Sequence, residues 1–205
     1  MDRTETQPFG YLRKVVVFLP YKLFGPFNLH PPEILYNARL HPILKQALYP
    51  GTADVAYERA LEAFMQLKEE AEATKVSICL ENVWNKFLLS PLEMRDFIDK
   101  INSPYVGVYL DVGNVIYTGY PEHWIRILGK RIKKVHFKDF RRKVGTLEGF
   151  VDLLAGDVNF PEVMQAFKEV GYDDYVTAEM IPNYTHYTNQ IIYNTSKSMD
   201  RILGR

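Results

Sequence analysis

Four side chains that can bind a divalent metal stand at or near the C-terminal ends of short apolar runs in this sequence. They are Glu81, Asp111, His136 and Glu179. Three carboxylates and one imidazole suit Mn²⁺, Co²⁺, Mg²⁺ or Zn²⁺, and the excess of oxygen ligands favours the harder ions. The set predicts a divalent metal centre and leaves the identity of the metal open.

Strand phase connects these side chains. A single acidic residue after a strand is more often a helix cap or a solvated loop residue than a ligand. Successive side chains of a strand point to opposite faces, and the positions out of phase with the ligands are the more apolar set, as at Val106, Val108 and Leu110. The four ligands therefore share one face, where a cation would relieve the repulsion between crowded carboxylates.

The runs that carry the ligands alternate with segments of helical character, which is the pattern of parallel βαβ units. Five runs occupy residues 14–20, 76–81, 105–111, 132–139 and 175–180. In a β/α barrel the last inward-facing residues of the strands line the C-terminal mouth, where active sites lie. We therefore expect one mouth to hold all four ligands.

Apolar periodicity, capping residues and prolines predict the helices. Apolar side chains recur at steps of three and four over residues 54–75, which indicates an amphipathic helix. Ser90 followed by Pro91 is typical of an N-cap with proline in the first turn. Pro121 and Pro161 begin two further helices in the same way, and a last helix spans roughly residues 189–203.

The N-terminal quarter lacks a clear period and is rich in proline between residues 19 and 54. We expect one structural domain with two parts. Residues 1–54 form an irregular N-terminal segment with one strand, and residues 55–205 form a C-terminal β/α-barrel portion that carries the metal site.

Charge and composition narrow the class of partner. The 25 Lys and Arg residues balance the 25 Asp and Glu residues, so the long-range field that would attract nucleic acid or an anionic membrane is absent. The sequence shows neither a signal-peptide pattern nor a run of about eighteen apolar residues. The lone Cys79 excludes an intrachain disulfide. We expect a cytoplasmic protein that binds a small molecule.

A basic run, KRIKKVHFKDFRRK, covers residues 130–143. The neutral total charge favours a solvated or phosphate-facing role over a nucleic-acid role. Lys138, Arg141, Arg142 and Lys143 are then candidates for holding a phosphate group, and arginine can do so with a two-pronged contact. Trp84, Asn85 and Phe87 follow Glu81 at the mouth, where they flank a bound small molecule or pack beneath a loop.

Four segments carry a family resemblance: ICLENVWNKFLLSP, VYLDVGN, KKVHFKDFRR and YVTAEM. They resemble the xylose isomerase-like TIM-barrel superfamily, specifically its sugar-phosphate isomerase/epimerase branch. That branch includes ketose 3-epimerases and L-ribulose- or L-xylulose-5-phosphate 3-epimerases. The resemblance covers roughly residues 53 to 203.

The resemblance implies roles for particular residues. The four metal ligands of the family fall on the four residues named above, and Glu81 and Glu179 also fall on its paired acid/base carboxylates. Arg142 falls on the arginine that contacts substrate in ketose 3-epimerases, with Arg141 as an adjacent alternative. Asn114 stands where many members carry a histidine, and it can hydrogen-bond a sugar hydroxyl but cannot carry a proton at neutral pH.

The chemistry implied is proton transfer at carbon. A metal that chelates the carbonyl and an adjacent hydroxyl oxygen of a ketose would stabilise an enediolate. One glutamate takes the carbon-bound proton and the opposite one returns a proton to the other face, which is 3-epimerisation. A single base that moves the proton between neighbouring carbons would instead interconvert an aldose and a ketose.

The barrel is expected to be incomplete. A closed eight-stranded barrel takes about 250 residues, whereas this sequence offers about five βα units, which match the C-terminal part of the family's barrel. Open edge strands are unfavourable, and a homo-oligomer is one way to cover them. A truncated, non-catalytic homologue that retains the metal therefore stands as a third hypothesis beside the epimerase and the isomerase.

Overall fold

The computed structural model describes residues 15–18, 52–181 and 184–205. Its main sheet has five parallel strands in the order β1-β2-β3-β4-β7. These strands are β1 (Val15–Phe18), β2 (Ser77–Glu81), β3 (Val106–Asp111), β4 (Ile132–Phe137) and β7 (Val176–Ala178). A second, antiparallel pair consists of β5 (Asp139–Phe140) and β6 (Phe150–Val151).

Helices follow the strands along the chain. They are α1 (Ala53–Thr74), α2 (Pro91–Ile101), α3 (Val112–Val115), α4 (Pro121–Leu128), α5 (Phe160–Val170) and α6 (Gln190–Leu203). Every helix predicted between residues 54 and 203 is present, and all five apolar runs form strands. Apart from β1 and residues 52–54, the segment expected to be irregular over residues 1–54 lies outside the described residues.

The helix ends form for the reasons that the sequence gives. The Ser90 hydroxyl accepts a hydrogen bond from the backbone N–H of Glu93, whose carboxylate accepts one from the N–H of Ser90, so a capping box begins α2. Helix α5 ends at Gly171, which adopts a left-handed conformation with φ 69° that costs glycine little. These caps fix where each helix returns the chain to the sheet.

The strand face opposite the ligands packs beneath the helices, as predicted. Its side chains join the hydrophobic core with the apolar faces of the helices. From the strands these are Ile78, Leu80, Val106, Val108, Leu110 and Val135, with Val176 and Ala178 partly buried against them. Burial of this face fixes the rotation of each strand, and the ligand-bearing face then points to the opposite side of the sheet.

The antiparallel pair β5–β6 was not predicted, and a buried carboxylate accounts for it. Asp139 accepts hydrogen bonds from four backbone N–H groups, those of Phe140, Leu154, Gly156 and Val158. Gly156 is required there because a Cβ would lie 2.2 Å from Asp139 Oδ1. This carboxylate holds the segment after β4 in a fixed loop beside the strand ends. No helix among the described residues is long and apolar enough to cross a membrane.

Candidate metal centre

The four predicted ligands come together at the C-terminal ends of four adjacent strands. One ligand atom from each of Glu81, Asp111, His136 and Glu179 lies within 4.8 Å of the other three. His136 Nδ1 is 3.1 Å from Glu81 Oε1, 3.8 Å from Asp111 Oδ2 and 3.6 Å from Glu179 Oε2. The imidazole therefore turns its Nδ1 atom toward all three carboxylates.

The strand register sets the position of each predicted ligand along the strand direction. Asp111 pairs directly with His136 in the ladder, whereas Glu81 lies level with Tyr109. His136 pairs with Thr177, so Glu179 lies two residues beyond that pair, directly after the end of β7, and its N–H donates to the carbonyl of Phe137. From β2 to β7 the predicted ligands therefore lie progressively further toward the C-terminal edge of the sheet, with Asp111 and His136 level with each other. The staggered strands of a barrel have this arrangement.

Lys138 is a fifth charged group in this cluster. It is 4% exposed, and its Nζ lies 3.0 Å from Asp111 Oδ2 and in contact with Glu179 Oε2. Asn114 Oδ1 is 3.4 Å away, and the ring of Phe150 lies 5.0 Å from the ammonium. The sequence placed Lys138 among the candidates for holding a phosphate, and the structure places its ammonium against two of the carboxylates predicted to bind the metal.

Burial and charge act in opposite directions on the titration of these groups. Burial raises the pKa of Asp111 to about 7, against the lowering effect of Lys138. Burial also raises the pKa of Glu179, but the charge and hydrogen bond of Lys138, together with the His136 charge, outweigh it and the net direction is downward. Burial lowers the pKa of His136, and the hydrogen bond with Glu81 and the other carboxylate charges reverse that to a net rise.

The donor set fits a divalent ion. Glu81 Oε2, Asp111 Oδ2 and Glu179 Oε2 are buried and accept no hydrogen bond from the described residues. Lys138 approaches two of these oxygens at ion-pair distance but outside hydrogen-bond geometry. Glu81 Oε2 thus has no donor, and the other two oxygens have only the Lys138 ammonium beside them, which is costly for buried carboxylates. A cation bound by three oxygens and one nitrogen would satisfy all three.

Two asparagines hold the strand ends behind the ligands. The Asn82 side chain accepts from Asp111 N–H at 2.8 Å and donates to the Asp111 carbonyl at 2.9 Å. Asn114 donates to the Asn82 carbonyl at 2.9 Å, and its N–H donates to Asp111 Oδ1 at 2.8 Å. This network fixes the Asp111 carboxylate. Sequence reasoning missed Asn82, although its position directly after Glu81 was a usable signal.

Tyr109 supports the imidazole from within the arc of strands. Its ring centroid lies 4.0 Å from that of His136, and its hydroxyl pairs with the side chain of Thr177. Both tyrosine and threonine share the ligand-bearing face, because they lie two residues before Asp111 and Glu179. The pair holds the orientation of the His136 ring.

The predicted substrate residues lie around the cluster of Glu81, Asp111, His136 and Glu179, which we call the cage. The Arg142 guanidinium donates to the carbonyls of Ile116 and Gly119, and Arg141 Nε donates to the carbonyl of Ala155. Arg141 uses one of its five N–H donors in this contact and Arg142 uses two, so the contacts orient both guanidinium groups and leave further donors for a ligand.

The two residues predicted after β2 also have partners within the protein. Trp84 donates its indole N–H to the carbonyl of Asn114 and packs with the rings of Tyr117, Phe140 and Phe150. Asn85 caps its own loop by accepting from Phe87 N–H at 3.0 Å. Of the six predicted substrate residues, Lys138 contacts the ligand carboxylates, and Asn114 reaches Asp111 through its backbone N–H.

An open arc of parallel βα units with a carboxylate–imidazole cluster at its C-terminal edge is the architecture of a β/α-barrel protein. The chain belongs to the xylose isomerase-like TIM barrel family, whose model matches residues 35–198. An uncharacterized protein of Methanocaldococcus jannaschii, MJ1311, is 25% identical over 161 residues. That match covers 76% of this chain and 53% of the relative.

Solved structures with related folds include three that cover most of this chain. The IOLI protein, whose structure contains a bound zinc atom, superposes with a TM-score of 0.65 at 21% identity. D-psicose 3-epimerase of Clostridium cellulolyticum H10, solved with D-tagatose, gives 0.62 at 17%, and a D-tagatose 3-epimerase-like protein gives 0.60 at 23%. At these identities the likeness establishes the fold.

Coverage of these relatives is partial. The matches include 76%, 76% and 93% of this chain, in the same order, but 59%, 58% and 62% of the solved chains. The chain therefore spans a little over half the length of the proteins that it matches. The predicted fold class, an incomplete β/α barrel of TIM type, is confirmed.

Proposed function

We propose that this chain carries the metal centre of a sugar or sugar-phosphate epimerase of the ketose 3-epimerase type. The observation that carries the proposal is the meeting of two glutamates, one aspartate and one histidine within 4.8 Å at the mouth of a β/α arc. Glu81 and Glu179 come from β2 and from the end of β7, with β3 and β4 between them. They can therefore reach a bound sugar from two sides.

The chemistry assigned to the protein residues is proton transfer. A bound divalent ion supplies the positive charge that a developing sugar oxyanion needs. Glu179, held ionised beside Lys138, is suited to take a proton from carbon. Glu81, once protonated from solvent, is suited to return a proton from the opposite side, and Glu179 then releases its proton to solvent. Asn114 and Trp84 are proposed to flank the sugar.

Two other functions use the same residues. An aldose–ketose isomerase would need a single glutamate to move the proton between neighbouring carbons. A non-catalytic metal-binding protein is favoured by a specific observation, since in the described part of the chain β1 and β7 are the outer strands of an arc that does not close.

Solvent deuterium incorporation tests the proposal directly. The protein is loaded with Mn²⁺ and incubated in D₂O with ketopentoses, ketohexoses and their phosphates, and the products are followed by NMR. A 3-epimerase incorporates deuterium at C3 of the ketose, whereas an aldose–ketose isomerase incorporates it at C1 or C2. Metal binding without incorporation into any sugar would overturn both enzymatic assignments and leave the binding function.

Glu179→Gln supplies the matched comparison. Loss of the proton-accepting carboxylate is expected to lower the exchange rate about 100-fold or more. Glu169→Gln, on the outer face of α5, removes a carboxylate that pairs with Arg126 and is expected to leave the rate unchanged. An equal effect of the two substitutions would contradict the role given to Glu179.

A further inference from the structure

The cluster of ligands contains a positive charge of its own. Lys138 lies in ion-pair contact with Asp111 and Glu179, and its ammonium is buried with them. Three ionised carboxylates bring three negative charges, and Lys138 offsets one of them. The two remaining charges equal those of one divalent cation.

We propose that Lys138 is a fixed counter-charge that matches this cage to a single divalent ion and disfavours trivalent ions. The proposal rests on the metal centre assigned under the proposed function. The attraction between a cage and an ion scales with the product of their charges. A lysine charge at fixed distance therefore repels a trivalent ion half as much again as a divalent one, and its removal favours the trivalent ion.

The surroundings of Lys138 hold this charge in place. Gly113, in the short helix after Asp111, packs so closely that a Cβ there would lie 2.7 Å from the Lys138 backbone. The ring of Phe150 covers the ammonium from another side at 5.0 Å. The contact is thus built from β3, β4 and β6, with little room for the lysine to turn to solvent.

A phosphate-binding role would require a different arrangement. An anion bound to Lys138 would have to displace two carboxylates from it and would stand beside the Glu81 charge. Like charges in a buried site are strongly unfavourable. The position of Lys138 between ligand carboxylates fits a partner of the metal better than a partner of an anion.

A charge series tests the proposal with Tb³⁺ and Ca²⁺, two ions of similar radius and different charge. Affinities are measured by titration calorimetry and by Tb³⁺ luminescence, which the nearby Tyr109 ring can sensitise. Lys138→Met is expected to raise the ratio of Tb³⁺ to Ca²⁺ affinity about ten-fold or more, and Glu179→Gln to lower it by a similar factor. Combining the two substitutions restores the charge and should return the ratio toward that of the parent.

Lys134→Met is the control, because Lys134 lies on the same strand but pairs with Asp174 outside the cage. It should leave the ratio unchanged. A ratio that stays constant across the series while the parent binds Mn²⁺ one to one would overturn this inference alone. If Lys138→Met does not fold, the double variant decides, and a ratio equal to that of Glu179→Gln alone overturns the inference. A parent that binds none of these ions would overturn the proposed function as well.

Discussion

Replacing Asp111 with asparagine should stabilise the metal-free protein, because the carboxylate is held there at an electrostatic cost. The side chain is fully buried, and burial, with the neighbouring Glu81 charge, raises its pKa from 3.8 to about 7 despite Lys138. That rise corresponds to roughly 4 kcal/mol against the ionised form in the folded state. We expect Asp111→Asn to raise the free energy of unfolding by about 2 to 4 kcal/mol at pH 8. The lower figure allows for the cost of a new buried amide.

This gain in the free energy of unfolding should depend on pH, and the raised pKa of Asp111 sets the direction of the dependence. The folded protein retains a proton that the unfolded chain loses above about pH 4, so parent stability falls as the pH rises from about 4 to about 7. The variant lacks this titration. Its advantage should therefore be about 2 kcal/mol larger at pH 8 than at pH 5.5.

Urea unfolding of the metal-free proteins at the two pH values measures this difference. Asp99→Asn is the control, since it breaks a pair with Arg131 at the surface and should bring no gain at either pH. The variant should also lose divalent-metal binding, because it removes one ligand oxygen. A variant of Asp111 that is less stable than the parent at pH 8 would refute the view that the cage is electrostatically strained without its metal.

Two further predictions concern groups outside the cage. Asp139→Ala leaves four backbone N–H groups without their acceptor and should cost about 3 to 5 kcal/mol in urea unfolding, whereas Asp157→Ala removes an acceptor of one N–H and should cost about 1 kcal/mol. Equal costs would show that the Asp139 carboxylate does not hold the loop. The Cys79 thiol is buried, and burial raises its pKa to about 12, so it should react with an aromatic disulfide reagent only after unfolding. Fast reaction in the native protein would contradict the burial of β2.

Much of the fold could be predicted because the local signals agreed. The capping box at Ser90 and the apolar spacing of α1 each fix an element from nearby residues. The hairpin β5–β6 could not be predicted, because it depends on one carboxylate that gathers N–H groups up to 19 residues away. Such a contact leaves no periodic pattern in the sequence.

The meeting of Glu81, Asp111, His136 and Glu179 was predictable from strand phase. The partner of Lys138 was not predictable, because it depends on the register between strands. Alternation says that Lys138 lies on the same face as His136, but it does not say which residue of the neighbouring strand stands level with it. The ladder pairs His136 with Thr177, which places Glu179 opposite Lys138. Register depends on packing across the whole sheet. The basic run around Lys138 therefore indicated a phosphate site from composition, while the register turns that ammonium toward the carboxylates that a metal would share.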